Sequence, residues 1–418
     1  MVIDVIRPRP QCPCGSVGLG PRRSTSAGRK PVSSGRTDVK STRLVTALAA
    51  AGLVAAAPAV AQQTVKFPNI IELSGAGATV GTNWRNGVEL AVSEINAAGG
   101  ILGRKIVTEH VDTQSNPGTA RAAIQRALDD NPVVIFGPIY SGSVKATMQL
   151  TADAGVPQII GGEAADLTAQ GSKFIFRTSF GQNVSMPKLA NYLRDEVKAK
   201  SVAVIYVNND FGKGGRDAIM KELQARNIKV AADLSTESGQ ADFAADVIKI
   251  KAANADAVFV YLNEEESARF LREVKKQGVS LPLVGETTLL GQKVIDLAGD
   301  AANGVRGHVG LTVDAPVPAM QEFGRKFQAK YNYKPDHNGV KGYIAPYMVK
   351  AAAEKAGKLD PKAIASALHG LTITPDKTPG ILIEATWDTT GEIDRISFLA
   401  EVQNGKQVIT KTLPKLKP

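Results

Sequence analysis

The sequence predicts an α/β protein with two doubly wound lobes, each built on a mainly parallel sheet. Two observations predict this fold class. Short apolar runs alternate with stretches of helical periodicity along most of the chain, and the alternation comes in two consecutive series. Alternation of this kind favours crossovers between parallel strands. In such sheets a ligand binds beyond the carboxyl ends of the strands, so the cleft between two lobes is the expected pocket.

The composition restricts the chemistry that the main part of the chain can carry. The 418 residues have a formal net charge of +10, but residues 1–61 hold seven of these ten charges together with both cysteines, Cys12 and Cys14. The rest of the chain is therefore nearly neutral and has no thiol. This excludes disulfides, thiolate metal sites and a cysteine nucleophile after residue 61.

Residues 39–61 have the pattern of a secretory signal peptide. A short basic region at 40–43 precedes an apolar run at 44–57 and small residues that end in Ala61. The apolar run is shorter than the roughly 20 residues of a membrane-spanning helix, and Pro58 ends it. We expect cleavage after Ala61. Because no cysteine follows, we expect an exported protein without a lipid anchor.

Residues 1–38 are rich in Pro, Gly, Ser and Arg and show no apolar periodicity, which predicts a disordered extension. Such an extension is abnormal before a signal peptide. Our hypothesis is that it is not translated and that Val39, read from a GTG codon, is the start. Any peptide from residues 1–38 in the mass spectrum of the precursor would contradict this. A basic arm for DNA is the weaker alternative, because an exported protein does not meet nucleic acid.

The first series alternates strands with helices. Asn116-Pro117 predicts an N-cap and a first-turn proline, and Gly99-Gly100 ends the preceding helical pattern. Either Ser141 or Ser143 is expected to cap the third helix. The predicted strands cover 70–73, 106–111, 133–136, 156–160 and 174–178.

The second series starts at Ser201 and repeats this alternation. Its predicted strands cover 202–207, 228–233 and 257–262. After about residue 311 the pattern changes. Two helical stretches, 320–331 and 343–357, are followed by two strands that look antiparallel, 381–387 and 396–402. This tail fits neither series as an independent domain.

A glycine-rich loop at 74–81 follows the first strand and precedes a helix, as in a dinucleotide-binding turn. A pyrophosphate would then bind at the helix N-terminus. However, the spacing of Gly77 and Gly81 does not match G-x-G-x-x-G, and Glu109 and Asp112 come later than the expected ribose-binding acid. We therefore interpret the loop as part of a ligand cleft and expect no nucleotide cofactor.

The sequence contains no pattern that predicts catalysis or a metal site. It has no nucleophile elbow, serine triad or paired-carboxylate signature, so we do not expect an enzyme. Asp210-Phe211-Gly212 matches a kinase tripeptide by chance, because the other kinase motifs are missing. The four histidines have no metal-ligand spacing. Glu264-Glu265-Glu266 is interpreted as a solvated helix start near the cleft.

Short motifs in a fixed order run from about residue 65 to about residue 405. They are Ser74-Gly75, Gly81, Asn86-Gly87, Glu94-Ile95-Asn96-Ala97-Ala98-Gly99-Gly100-Ile101-Leu102-Gly103, Asp112, Phe136-Gly137-Pro138, Ser141-Gly142-Ser143, Phe176-Arg177-Thr178, Asp210-Phe211-Gly212, Ala241-Asp242-Phe243, Gly299-Asp300-Ala301-Ala302-Asn303-Gly304-Val305, Thr386-Trp387-Asp388 and Gly391. Each motif alone is weak. The ordered set resembles the type I periplasmic solute-binding proteins of ABC transporters, and among them the branched-chain amino-acid (Leu/Ile/Val) binding family.

This resemblance implies two Rossmann-like lobes joined by a hinge of three crossovers, the type I periplasmic binding protein fold. Lobe I would comprise residues 62–182 plus 312–392, and lobe II would comprise residues 183–311 plus 393–418. The resemblance also implies a monomer in the periplasm that needs no cofactor. Its partners would be a small-molecule solute, an amino acid or an analogue, and an ABC permease in the inner membrane.

The resemblance further implies a set of ligand-binding residues. Ser141 would bind a ligand carboxylate at a helix N-terminus, for which free amides and the helix dipole are a physical reason. Gly162 and Glu163 match a position that adds donors, and Glu286 matches the acid that receives the ligand ammonium. The remaining candidates are Phe211 as an aromatic wall from lobe II, Asn263 near another aromatic position, Val80 where amino-acid binders have a large aromatic, Tyr140 beside Ser141, and Tyr343 at the hinge.

Glu163 departs from the family pattern, because amino-acid binders carry a short hydroxyl residue there. Its carboxylate would repel a ligand carboxylate unless it is turned away, protonated or bridged by an ammonium. Two hypotheses follow. Either Glu163 and Glu286 together favour a ligand with more amine or amide character than leucine, or Glu163 points to solvent and only its backbone amide is used.

The sequence thus predicts the binding component of an importer, which captures a branched-chain amino acid or a related small polar solute, such as an amide or another amino acid. One alternative is a ligand sensor of the same fold that serves a chemoreceptor or kinase. Neighbouring genes for a permease and an ATPase would favour transport over sensing. A second alternative is a binder of aromatic or other organic acids. The ligand itself is not predicted.

Overall fold

The structure, a computed structural model, describes residues 63–416 and contains two separate sheets of mainly parallel strands with helices on both faces. This confirms the predicted α/β class. The extension at 1–38, the signal peptide at 39–61 and the cleavage site after Ala61 lie outside the described residues. Within the described part of the chain, no helix is both long enough and apolar enough to cross a membrane.

The first sheet consists of five parallel strands. They are β1 (Thr64–Ile71), β2 (Lys105–Asp112), β3 (Ile135–Phe136), β4 (Gln158–Ile160) and β5 (Ile175–Arg177). Their order across the sheet is β2-β1-β3-β4-β5. The connecting helices are α1 (Ala78–Ala97), α2 (Pro117–Asp129), α3 (Ser141–Ala154) and α4 (Asp166–Ala169). Because all five strands are parallel, their carboxyl ends share one edge of the sheet.

The second sheet begins with five further parallel strands. They are β6 (Ser201–Val207), β7 (Lys229–Thr236), β8 (Ala257–Tyr261), β9 (Leu283–Gly285) and β10 (Arg306–Val309), in the order β10-β9-β8-β6-β7. The associated helices are α5 (Gln182–Asp195), α6 (Asp210–Ala225), α7 (Ala244–Ala252), α8 (Glu264–Lys276), α9 (Thr287–Leu290) and α10 (Gln292–Ala298). They cover both faces of the sheet with two separate apolar cores.

After β10 the chain returns to the first sheet. Helices α11 (Pro318–Tyr331), α12 (His337–Ala356) and α13 (Pro361–Leu368) join its core, together with a small antiparallel sheet of β11 (Thr372–Ile373), β12 (Ala385–Trp387) and β13 (Ile393–Asp394). The chain then crosses again, and β14 (Ser397–Gln403) and β15 (Lys406–Leu413) extend the second sheet antiparallel beside β10. It thus passes between the sheets three times. The lobe boundaries at 182, 311 and 392 stay a prediction.

The start of α2 follows the prediction, and the start of α3 does not. The side chain of Asn116 accepts hydrogen bonds from two amides of the first turn of α2, and Pro117 occupies the first helical position. In α3 neither predicted serine is the N-cap. Tyr140 takes that position without a side-chain cap bond, because Ser141 is already the first helical residue and its hydroxyl bonds elsewhere.

Two elements of the returning segment begin at other residues than predicted. Helix α12 starts at His337, six residues earlier than its apolar pattern indicates, because the side chain of Asp336 caps it by accepting from two amides of its first turn. The predicted strand at 381–387 is shorter, because Pro379–Ile381 forms a 3-10 turn and the strand starts at Ala385.

Helices α1 and α12 pack with their backbones in close approach. A Cβ atom added at Gly87 would lie 2.1 Å from the carbonyl oxygen of Gly339, and one added at Gly342 would lie 2.2 Å from that of Trp84. Glycine is therefore required at both positions, since a side chain would separate the helices. This contact joins α12 of the returning segment to α1 and holds the first turn of α12 in place.

We predict that Gly87→Ala destabilises the protein by about 1–3 kcal/mol, because the new methyl group overpacks a backbone contact. Urea denaturation followed by circular dichroism gives the free energy of unfolding. Gly291→Ala is the matched control, since Gly291 has a φ of −64° and a Cβ there would meet only an atom at 3.8 Å. Equal midpoints for the two variants would contradict the close approach.

Candidate functional site

A cavity of about 310 Å³ lies between the two sheets, at the carboxyl ends of their strands. Residues that follow β2, β3 and β4 line it from the first sheet, and residues that follow β6, β7, β8 and β9 line it from the second. The first turn of α12 completes the wall. The volume falls in the range of small-molecule pockets, about 300–1,000 Å³.

Six of the nine predicted ligand-binding residues line this cavity. They are Val80, Tyr140, Ser141, Glu163, Phe211 and Asn263. Gly162 lies in the same loop as Glu163, but its carbonyl oxygen accepts a hydrogen bond from the buried Arg177. Glu286 borders a second cavity of only about 10 Å³, and Tyr343 borders neither of the two. Ligand contact by any of the nine residues stays a prediction.

Tyr343 lies away from the cavity because of its rotation on α12. It follows Lys341, which lines the cavity, by two positions, and two positions on an α-helix turn a side chain by about 200°. The ring of Tyr343 packs against Phe323 with 4.5 Å between ring centroids, and its hydroxyl donates to Glu94. The residue therefore belongs to the core of the first sheet.

The first turn of α3 borders the cavity with Ser141, Gly142 and Ser143. Amides of a first helical turn have no acceptor within the helix and lie at the positive end of the helix dipole, so this turn favours a bound anion. The hydroxyl oxygen of Ser141 accepts hydrogen bonds from the amides of Glu163 at 3.3 Å and Ala164 at 3.2 Å. Its own proton is thus free to be donated to a ligand.

Glu72 lies behind this turn. Strand β1 ends at Ile71, short of the predicted strand end, and the carboxylate of Glu72 accepts hydrogen bonds from the amides of Ile139 and Tyr140, both at 3.1 Å. Burial raises the pKa of Glu72, although these hydrogen bonds oppose the shift. Glu72 thus uses the two amides that precede α3 and is itself not part of the cavity wall.

Arg177 holds the loop that carries Glu163. Its guanidinium is fully buried and donates to the carbonyl oxygens of Gly162 and Ala164, on either side of Glu163. It also pairs with Glu392 of the returning segment, with 3.0 Å between Nε and Oε2. A buried guanidinium with a carboxylate partner and two carbonyl acceptors fixes the position of this loop.

The carboxylate of Glu163 does not point to solvent, so the second hypothesis for this residue is wrong. Its Oε1 lies 2.6 Å from the Nζ of Lys341, and the two side chains are only 13% and 4% exposed. Burial raises the pKa of Glu163, and the charge of Lys341 opposes that shift. The ammonium of Lys341 is thus paired with the carboxylate of Glu163. An ammonium partner is one of the three arrangements that would keep Glu163 from repelling a ligand carboxylate.

Glu286 is also paired within the protein. Its Oε1 lies 2.6 Å from the Nδ1 of His308, and its other oxygen accepts from the amide of Thr287 at 3.0 Å. Burial raises the pKa of Glu286, but His308 and the hydrogen bonds outweigh burial, and the net shift is downward. The two acids of the first hypothesis, Glu163 and Glu286, therefore both have cationic or hydrogen-bonding partners of their own.

The predicted solvated start of α8 is wrong for two of its three glutamates. Glu266 is buried and accepts hydrogen bonds from the backbone and side-chain nitrogens of Asn263, which fixes Asn263 at the cavity wall. Glu264 lines the cavity, and burial raises its pKa to about 8. Only Glu265 is exposed. Two of the three therefore shape the cleft.

Cavity residues outside the predicted set include Thr288 and three residues of the first turns of α12, His337, Asn338 and Lys341. The side-chain atoms Thr288 Oγ1, His337 Nδ1 and Tyr140 Oη are buried and have no hydrogen-bond partner among residues 63–416. Unpartnered buried polar atoms are unfavourable without a ligand or water. The sequence signal for His337, Asn338 and Lys341 is the capping residue Asp336. It starts α12 early enough to bring the beginning of this helix to the cleft.

The titratable groups at the cavity do not form a metal site. In the described part of the chain, no three His, Cys, Asp or Glu side chains are placed to hold a metal ion. Burial lowers the pKa of His337 well below its usual value, so its imidazole is neutral at neutral pH. The imidazole therefore acts here as a hydrogen-bonding group.

One ion-pair cluster connects the two walls of the cleft. Lys145 on α3 pairs with Asp210 at the start of α6, with 2.9 Å between Nζ and Oδ1, and with Asp166 at 2.8 Å. Asp210 also lines the cavity. The contact therefore ties helix α3 of the first sheet to helix α6 of the second directly beside the pocket.

Comparison with known proteins agrees with this geometry. The model of the periplasmic binding protein family matches residues 64–407. A leucine-, isoleucine-, valine-, threonine- and alanine-binding protein of Pseudomonas aeruginosa is 27% identical over 361 residues, which cover 85% of this chain and 94% of that protein. Both the family match and the relative extend over both sheets and the cavity.

Two solved structures share the fold. The branched-chain amino-acid substrate-binding protein LivJ of Streptococcus pneumoniae, in complex with isoleucine, superimposes with a TM-score of 0.75 and 26% identity over 85% of this chain and 100% of that chain. A solute-binding protein of R. palustris in complex with benzoate superimposes with a TM-score of 0.77 and 22% identity over 84% of this chain and 97% of that chain. The second likeness concerns the fold alone.

We predict that Arg177→Met costs about 3–5 kcal/mol of stability, because it leaves the carboxylate of Glu392 buried without its partner. The free energy of unfolding in urea measures the loss. Arg325→Met is the control, since Arg325 pairs with Glu322 on the surface and its side chain is 74% exposed. A loss no larger than that of the control would show that the buried pair does not hold the loop.

We predict that Glu264→Gln stabilises the protein increasingly as the pH rises from 5 to 8. The folded state keeps the Glu264 proton up to its pKa of about 8, whereas an unfolded glutamate loses its proton near about pH 4.3. The wild type therefore loses stability through this window, and the variant does not. Urea unfolding of both proteins at pH 5 and pH 8 measures the difference. The exposed neighbour variant Glu265→Gln is the control, and a pH-independent difference for Glu264→Gln would contradict the raised pKa.

Proposed function

The chain belongs to the periplasmic binding protein family, and on that premise we propose that it is the substrate-binding component of an ABC importer. In this role it captures a small solute between two lobes and delivers it to a permease of the inner membrane. The observation that carries the proposal is the 310 Å³ cavity, which is walled by the strand ends of both sheets. A cleft of this construction binds and releases a solute without changing it.

Closure of the lobes provides the signal for delivery. A ligand that touches residues of both sheets stabilises the closed arrangement, because it gains contacts there that it lacks when the lobes are apart. Ser141 and Phe211 lie on opposite walls of the same cavity and would meet the ligand from the two sides. Three chain crossings form the hinge of this motion, with lobe boundaries near 182, 311 and 392.

The names of the relatives support a branched-chain amino acid or a related small polar solute as the ligand. The turn of α3 and the hydroxyl of Ser141 would bind its carboxylate. A second candidate is an organic acid without an ammonium group. The observation that favours it is the pairing of Glu163 with Lys341, which already gives that carboxylate a cationic partner within the protein.

We further propose that the chain works in the periplasm as a monomer, after removal of a signal peptide behind Ala61. The family of the chain and the basic, apolar and small-residue pattern at 39–61 support the location. We also propose that the protein catalyses no reaction and needs no cofactor. The family of the chain and the names of its relatives as binding proteins support this.

We predict that a thermal-shift screen of amino acids, amides and organic acids on the purified protein finds a ligand. A ligand at 100 times its Kd should stabilise the folded state by about 2.7 kcal/mol. With that ligand, Ser141→Ala should weaken binding about tenfold or more in isothermal titration, because a hydrogen bond to a charged group contributes about 1.5–3 kcal/mol. Ser280→Ala, at an exposed position, is the matched control. Unchanged affinity in Ser141→Ala would remove this residue from the site, and no stabilising compound in the screen would overturn the proposed function.

A further inference from the structure

A second, much smaller cavity lies where the three chain crossings between the sheets come together. Phe180 lines it from the first crossing, Leu311 from the second and Arg395 from the third. Its volume is about 10 Å³. A space of about 10–15 Å³ is the lower limit for one water-sized particle. The cavity therefore has room for a guest with a single heavy atom, and no room for a carboxylate, a phosphate or a solute.

Arg395 is a buried cation at this cavity with hydrogen-bond donors left unused. Its side chain is fully buried, and the guanidinium lies over the ring of Phe180, 4.8 Å from the ring centroid. Its Nη2 donates to the carbonyl oxygen of Thr178 at 3.1 Å. Its Nε and Nη1 are buried and have no hydrogen-bond partner among residues 63–416. Because a guanidinium can only donate, these two nitrogens need an acceptor.

Arg177, the other fully buried arginine, shows the arrangement that Arg395 lacks. The guanidinium of Arg177 donates from all three nitrogens, to the carboxylate of Glu392 and to two carbonyl oxygens. Arg395 is equally buried, but only its Nη2 has such a partner among residues 63–416. Burial lowers the pKa of Arg395 to about 9, although Asp394 and Glu392 oppose the shift. The guanidinium therefore stays charged at neutral pH.

A second buried cation lies against the same aromatic ring. The Nζ of Lys188 is 5.0 Å from the ring centroid of Phe180. Burial lowers the pKa of Lys188 to about 8, and the charge of Arg395 adds to this shift. The acids Asp394 and Glu286 oppose it. Since like charges repel strongly at low dielectric, an anion near Arg395 stabilises this arrangement more than a neutral guest does.

The acids that line the small cavity have partners within the protein. Glu163 contacts the ammonium of Lys341, and Glu286 contacts the imidazole of His308, each at 2.6 Å. Among the charged side chains of residues 63–416 that line this cavity, Arg395 alone has no ion-pair partner. A buried charge without a counter-charge is costly. The missing counter-charge is therefore negative and belongs beside Arg395.

We propose that Arg395 and the small cavity form a binding site for a single chloride ion. The ion would accept a hydrogen bond from Nε or Nη1 of Arg395 and supply the negative charge that the protein does not place there. Because the walls of the cavity come from all three crossings, a bound chloride would stabilise the hinge in the arrangement that the structure shows. This site is separate from the solute cavity, and the proposal does not depend on which solute the protein binds.

Thermal unfolding of the purified protein tests the proposal in solution. Gluconate, which is too large for the cavity, is replaced stepwise by chloride at constant ionic strength and pH 7. The unfolding midpoint should rise with chloride concentration, reach about 2 °C at ten times the Kd, and follow the curve for one bound ligand. A midpoint that does not respond to chloride, or that rises linearly without the curvature of a binding isotherm, would overturn the proposal.

The variant Arg395→Met tests whether this guanidinium is the binding group. It removes the charge and keeps a side chain of similar length, a change that buried ionic groups often tolerate. The response to chloride should be lost. Arg325→Met is the matched control, since the Arg325 side chain is 74% exposed, and it should respond as the wild type does. A wild-type response in Arg395→Met would overturn the proposal.

A crystal of the wild-type protein grown in bromide provides a test that does not depend on the folding of any variant. Bromide replaces chloride chemically and is identified by its anomalous scattering. We expect an anomalous peak within hydrogen-bond distance of Nε or Nη1 of Arg395. Density for a water molecule there, without an anomalous signal, would overturn the proposal.

Discussion

The cleft depends on one buried interaction, the contact of the Arg177 guanidinium with the carboxylate of Glu392 and with the carbonyl oxygens of Gly162 and Ala164. Arg177 ends a strand of the first sheet, and Glu392 comes from the segment that returns to it. The same group therefore fixes the cavity loop and fastens the late part of the chain to the early part. Glu163 lies between the two bound carbonyls, so its direction follows from this anchor.

Charge compensation determines what the cleft can bind. A buried carboxylate without a partner is costly, and each acid at or behind the cavity has a partner or a raised pKa. A solute in the cleft therefore meets acids that already have a partner or a raised pKa. It also meets the first turn of α3 and the residues Tyr140 and Thr288, whose buried hydroxyls have no hydrogen-bond partner among residues 63–416.

Local sequence patterns predicted the elements, and the family resemblance pointed to residues on both walls of the cavity, but neither could predict the pairings. The alternation of strands and helices, the cap at Asn116 and the position of Ser141 depend on neighbouring residues, and the structure has them where the pattern indicates or within a few residues. Lys341 lies 178 residues after Glu163, so no spacing rule connects the two. Tyr343 was expected at the hinge, but an error of two positions on a helix moves a side chain to the opposite face. A resemblance identifies positions along the chain, whereas partners such as His308 and Lys341 become visible only when the chain is folded.

The contact between α1 and α12 also governs the order in which the protein can reach its folded state. The core of the first sheet contains Trp84 and Val88 from the early chain, but also Ile344, Met348 and Trp387 from the late chain. When only residues up to about 177 have been synthesised, this core lacks a large part of its apolar partners, and the long sequence separation makes its closure slow. The last third of the chain therefore completes the core of the first sheet.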